Sequence, residues 1–204
     1  MNWKVLVVSL MMAIGVNALY AKGPKKVYVI QDAFVQGGDN ADERMGVNKN
    51  GELRIMKSDG DDKYSRTSYL LFNLKKVEDF SSARLHMCMK VYESKDDANA
   101  EFELQVYCGD GTKWSESTIT YSNKPGIDQL LATQTYKPSE KNVWVSADID
   151  VEKLKKAIKA SKNGKVTLVL YNKNFNRTSA IVLSKERAWS NGNLAKREVY
   201  LELK

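Results

Sequence analysis

The run from Thr67 to Leu74 constrains the fold more than any other stretch. Leu70, Phe72 and Leu74 load one face of an extended chain while Tyr69 and Leu71 load the other. Successive side chains of a strand point to opposite sides, so a strand that is apolar on both must have protein above and below it. Around it lie further short β-rich runs: 26–30 resumed at 33–36, 53–57, 83–92, 102–108, 143–149, 166–171, 180–184 and 198–203. Polar segments such as 39–51 and 58–66 separate them and read as loops, and 126–142 reads as irregular. One helix is expected: Asp150 can cap it, Val151, Leu154, Ala157 and Ile158 form its apolar stripe, and Gly164 closes it. About nine strands and one short peripheral helix predict an all-β domain of two packed sheets, a β-sandwich of jelly-roll type.

The two cysteines lie in runs of opposite phase. Apolar residues fall on odd positions in 85–91, around Cys88, and on even positions in 102–108, which ends in Cys108. If these runs pair as a hairpin around 94–100, their apolar faces coincide and the two thiols fall on opposite sides of the sheet. A bridge is then awkward, and two unbridged thiols are expected.

The N-terminus carries an address. A short positive start ending at Lys4, an apolar run over 5–16 and a small residue at Ala21 predict a secretory signal over 1–21, followed by a single domain over 22–204. The apolar run is too short for a convincing membrane span, so the product is expected to be secreted, periplasmic or on the cell surface, without a stable anchor after cleavage. The net charge of +7, of which the leader holds only Lys4, favours polyanionic partners. Export argues against nucleic acid and leaves acidic glycans.

The segment 113–125 combines Trp114, Glu116, a β-branched and aromatic run Thr118-Ile119-Thr120-Tyr121, Asn123 and a terminal Pro125. Trp can bury its ring while its N–H seeks an acceptor, and the β-branched run favours extended backbone, so the segment reads as a corner of a β-domain. The pattern Trp-x-Glu-x-Thr-Ile-Thr-Tyr-x-Asn-x-Pro resembles the signature of the DNRLRE-domain family, also classed as carbohydrate-binding module family 96. Other stretches agree in order: Asp32-Ala33-Phe34-Val35 with Gly37-Gly38 and Ala41-Asp42, Lys57, Arg66 with Tyr69-Leu70-Leu71-Phe72-Asn73-Leu74, Ala83-Arg84-Leu85 and Ser184-Lys185-Glu186. Asn73 stands where the family has Asp. The resemblance implies a jelly-roll sandwich and an alginate-like anionic glycan as ligand.

Lys57, Arg66 and Lys185 are cations at or beside strand ends in the family-like stretches, and Arg187 and Trp189 extend the last of them. Together they are the expected ligand-binding residues, because Lys and Arg pair with carboxylates and an aromatic face stacks on a sugar ring. The alternative for each cation is an ion pair with a nearby acid that fastens the fold, with Asp42 and Glu186 as candidate partners. Trp114 and Trp144 are assigned to packing. No catalytic set is expected: His86 is the only histidine and sits mid-strand, and neither thiol has an evident partner. No cofactor is expected either. Asp39, Asp42 and Glu43, or Asp59, Asp61 and Asp62, could offer oxygens to a structural calcium, but neither run has the spacing of a calcium loop. The expected function is non-catalytic binding of an acidic polysaccharide, with an adhesive protein-binding role or a lyase-like enzyme as alternatives.

Overall fold

A computed structural model describes residues 23–46, 51–59, 62–77, 79–190 and 198–204, without the side chains of 188–190. The expected leader lies outside the described residues. The strands are β1 (Lys25–Gln36), β2 (Glu52–Met56), β3 (Arg66–Asn73), β4 (Ala83–Tyr92), β5 (Phe102–Gly109), β6 (Ile127–Tyr136), β7 (Val143–Asp148), β8 (Lys165–Tyr171), β9 (Ser179–Leu183) and β10 (Tyr200–Leu203). Among the described residues two α-helices accompany them, α1 (Val151–Ala160) and α2 (Lys185–Ser190). The protein is all-β, as expected, but it has a second helix where one was predicted.

Every strand pairing is antiparallel. Strands β1, β10, β4, β9, β2 and β3 close into a ring, because β1 pairs with β10 through its first half and with β3 through its second. The change of partner occurs at an irregularity between Val29 and Gln31, where the sequence breaks its own β-rich run. From β3 the sheet continues through β8 and β5 to β6, and β7 pairs with the far side of β4. The extension folds back over β7, where the Tyr136 hydroxyl donates to the Ser146 carbonyl at 2.9 Å. Between them lies the main core, to which Leu70 and Phe72 of β3, Leu85 and Met87 of β4 and Leu104 and Val106 of β5 all contribute.

The predicted hairpin of 83–92 with 102–108 does not form. β4 pairs with β10, β7 and β9, and β5 pairs with β6 and β8. The opposite phases are real, but they are satisfied across the core from two facing layers instead of side by side in one sheet. Cys88 and Cys108 are both buried and not bridged to one another, and burial pushes the Cys108 thiol up to about 11. A second correction is β6, expected to be irregular. Only Leu131 of its ten residues is buried, so this edge strand lacks the alternation that marks a half-buried one. Helix α1 forms as read, with the Asp150 side chain accepting from the Lys153 N–H.

Strand β3 is covered on both faces. Beyond the main core, Tyr69 and Leu71 join Ala33, Val35 and Val169 in a second cluster, roofed by Trp114 and Ile119 of the corner segment. The Trp114 indole donates to Thr167 Oγ1 at 3.0 Å, and its ring meets Tyr69 edge-on. The corner is not extended over 118–121 as its composition suggested. It runs as consecutive turns, with the Ile119 N–H bonded to the Ser115 carbonyl and the Thr120 N–H to Asn123 Oδ1.

Candidate functional site

Of the residues singled out from the sequence, Lys57, Arg66, Lys185 and Arg187 are each engaged by partners within the fold, and Lys185 reaches the corner segment itself. Lys185 opens α2, and its backbone N–H donates to Asp32 Oδ2 at 2.9 Å. Its ammonium reaches Glu116 Oε1 at 2.5 Å and also Glu186. Glu116 Oε1 in turn accepts the Asp32 backbone N–H at 2.8 Å. One acid on the corner, one on β1 and one on α2 therefore converge on a single lysine whose side chain is only 14% exposed. Burial pulls the lysine's pKa down, but the bonds to Glu116 and Glu186 outweigh it and raise it. Asp32 is fully buried and its Oδ1 has no partner; burial first, then the neighbouring carboxylates, push its pKa up to about 8. Carboxylate oxygens of Asp32, Glu116 and Glu186 lie within 4.8 Å of one another, the one such group among the described residues. With the ammonium already among them, the arrangement is an ionic clasp that ties the corner to β1 and α2.

Arg187, two residues along α2, pairs with Glu52 at 3.1 Å. Arg66 is partly buried, donating from Nε to Gln36 Oε1 at 3.0 Å and from Nη1 towards Met56 Sδ. Burial, then the charge of Arg54, lowers its pKa. The side chain of Trp189 lies outside the described residues. Of the acids considered for calcium, Asp39 pairs with Lys63 and Asp62 with Lys57, and Asp61 lies outside the described residues.

Lys57 occupies a different setting. Its ion pair with Asp62 raises the lysine and lowers the acid. Asp62 accepts from the Ser65 hydroxyl, and Gly37 allows its close approach, since an added Cβ there would lie 2.7 Å from the Asp62 carbonyl oxygen. Around this pair the rim of the corner collects a second cation and several phenols that sequence reading passed over. The Lys124 ammonium sits 3.6 Å from the centroid of the Tyr121 ring, and burial lowers its pKa. Tyr121 and Tyr171 are close enough to influence Lys57, and Tyr171 meets Tyr107 edge-on at 6.2 Å. These residues are partly exposed, so two ammonium groups and three phenol rings share one accessible patch. Such a patch supplies cations for a carboxylate and ring faces for stacking.

A model of carbohydrate-binding module family 96 matches residues 24–195. No curated protein matches the chain. Among solved structures it is similar to the Agl-KA catalytic domain, with 10% identity and a TM-score of 0.38 over 89% of this chain and 27% of that one. The chain thus spans about a quarter of that structure. It is also similar to the K1 cleaved adhesin domain of Lys-gingipain from Porphyromonas gingivalis W83, with 12% identity, a TM-score of 0.37 and coverage of 90% and 98%. A third is the CBM22-1 xylan-binding domain from Paenibacillus barcinonensis Xyn10C, with 10% identity, a TM-score of 0.31 and coverage of 88% and 92%.

Proposed function

This chain belongs to carbohydrate-binding module family 96, a family of non-catalytic carbohydrate binders, and from that membership we propose that it is an exported module for an acidic, uronate-rich polysaccharide of the alginate type. The observation that carries the acidic preference is the patch of Lys57, Lys124, Tyr121 and Tyr171 at the rim of the corner. A uronate carboxylate competes with Asp62 for the Lys57 ammonium, while Tyr121 and Tyr171 receive the sugar ring. Each charge-assisted bond contributes about 1.5 to 3 kcal/mol before desolvation is counted. Of the cations expected from the sequence, Lys57 is the one assigned to the ligand. Arg66, Lys185 and Arg187 fasten strands and helix to one another. The leader over 1–21 and the net charge of +7 support export and a polyanionic partner. The jelly-roll winding belongs to the same proposal, and the wholly antiparallel pairing supports it.

Calorimetry or affinity electrophoresis against alginate, pectate, a heparin-like glycan and neutral glycans tests this reading. Retention by alginate and pectate should weaken as salt rises, and Lys57→Ala and Lys124→Ala should each weaken it by roughly tenfold. Failure to bind any acidic glycan, or binding that neither salt nor the two substitutions change, overturns it.

A further inference from the structure

We propose that the outer face of β1, β10, β4 and β7 is a second sugar-binding surface, an aromatic platform that takes the ring faces of an uncharged pyranose chain laid across the strands. Register builds it. Val27, Leu201, Leu85 and Ala147 pack into or against the core, so their neighbours in sequence face outwards. Tyr28 stands opposite Tyr200, Tyr200 opposite His86, and His86 opposite Ser146, in a row that crosses four adjacent strands. Trp144 lies two residues from Ser146 along β7, on the same face. The row covers three strand spacings, roughly 14 Å, the length of a short oligosaccharide.

The rings form one continuous surface. The His86 and Tyr200 rings stack at 4.7 Å and 10°, Tyr28 lies 5.7 Å from Tyr200, and Trp144 lies 5.9 Å from Tyr200 on the other side. Tyr28 is 47% exposed and Trp144 45%, large apolar surfaces for side chains of a sheet. Burial lowers the His86 pKa, which leaves the imidazole neutral at neutral pH. A shallow depression is lined by His86, Trp144, Val145, Ser146 and Tyr200.

The next row chooses the occupant. Lys26, Glu202, Arg84 and Asp148 follow one another across the same four strands, alternating in charge. Arg84 pairs with Asp148 at 2.5 Å, Glu202 with Lys204 at 2.9 Å, and Lys26 lies over the Tyr200 ring at 4.6 Å. The four residues of this row therefore offer alternating donors and acceptors whose charges cancel, with Lys204 adding one positive charge at its end, an arrangement that complements sugar hydroxyls. A second copy of the chain fits less well. Tyr28 and Trp144 are each only about half exposed and Tyr200 and His86 less so, far short of the roughly 800 Å² per partner of a stable protein interface.

This inference rests on the carbohydrate-binding reading but not on the acidic ligand or the lysine patch. The test is calorimetry of the mature protein with cellohexaose, xylohexaose and mannohexaose, and with an alginate hexamer, at low and high salt. At least one neutral hexamer should bind with little salt dependence. The double variant Tyr28→Ala/Trp144→Ala should lose that binding by roughly tenfold or more, while Lys57→Ala leaves it unchanged. If the double variant does not fold, Ser146→Lys, which lays a long side chain across the row, should give the same loss. No binding of any neutral hexamer overturns the platform, even if alginate still binds through the lysine patch. So does neutral binding that survives the substitutions, or sedimentation showing a dimer that Trp144→Ala dissociates. Neutral binding lost with the rings, in a protein that ignores alginate, supports the platform and sinks the acidic reading instead.

Discussion

The two outer faces of this β-domain begin with similar material and end differently. On one, Tyr69, Leu71 and Val169 are roofed by the corner segment and Trp114 is 8% exposed. On the other, Tyr28, Tyr200, His86 and Trp144 form a row of rings, and Trp144 is 45% exposed. The difference does not lie in residue type, since a tryptophan and a tyrosine stand on both. It lies in whether the chain sends a segment back across the face and secures it. On the covered face the securing device is Glu116, which accepts from the Asp32 backbone and holds the Lys185 ammonium. Aromatic surface becomes core where such a clasp exists and stays available for a ligand where none is provided.

The sharpest way to break this comparison is to remove the ring beneath the roof. Trp114→Ala empties a buried site and leaves Thr167 without its indole donor. The expected cost is about 3 to 5 kcal/mol in denaturant unfolding, with exposure of the Tyr69 face to a hydrophobic dye. A cost under about 1 kcal/mol would mean that the roof contributes little, and the contrast between the faces would fail.

Next in size is the clasp itself. Lys185→Ala leaves Glu116, Glu186 and Asp32 facing one another without their cation, and should cost about 3 kcal/mol. Faster hydrogen exchange at the Asp32 amide, ahead of the core strands, would locate the loss at the corner. A variant as stable as the wild type that has lost alginate binding would return Lys185 to the ligand.

Asp32 gives the clasp a pH signature. Its folded pKa of about 8 lies above the ordinary 3.8, so between these values the folded state holds a proton that the unfolded state has released. The stability linked to that proton is complete below about pH 4 and declines until pH passes about 8. Subtracting the Asp32→Asn variant's unfolding free energy from the wild type's should give a difference that falls across this window and is level above it. A flat difference would show that the carboxyl is ionised throughout, with Lys185 alone balancing it.

What the sequence disclosed depended on how far each signal reaches. Local signals held: the double loading of 67–74, the Asp150 cap, the break in β1 beside Gln31 and the burial of Trp114 were all readable from neighbouring residues. Pairing partners were not. The phases of 83–92 and 102–108 were read correctly, but phase does not say whether two apolar faces meet side by side or across a core. Strand β6 escaped because an edge strand with one buried residue shows no alternation. The aromatic row escaped for a stronger reason. Residues 28, 86, 144 and 200 become neighbours only through three long-range pairings, so Trp144, assigned to packing on its residue type, is half exposed. The acid that ties Lys185 to the corner escaped for the same reason, since Glu116 and Lys185 are 69 positions apart in the chain.

The smallest expected effect completes the comparison. Trp144→Ala removes a ring that is 45% exposed and edge-on to Tyr200, so its truncation opens no enclosed cavity. Its stability should change by less than about 1 kcal/mol, far below the loss at Trp114. The same substitution should weaken the binding of a neutral hexamer, whereas Trp114→Ala, under conditions where it remains folded, should leave that binding nearly intact, because its ring belongs to the covered cluster with Tyr69 and Val169 and not to the row. One tryptophan would then move stability alone and the other binding alone. If Trp144→Ala instead unfolds the protein as readily as Trp114→Ala, the open face is part of the packed structure and the asymmetry between the two faces disappears.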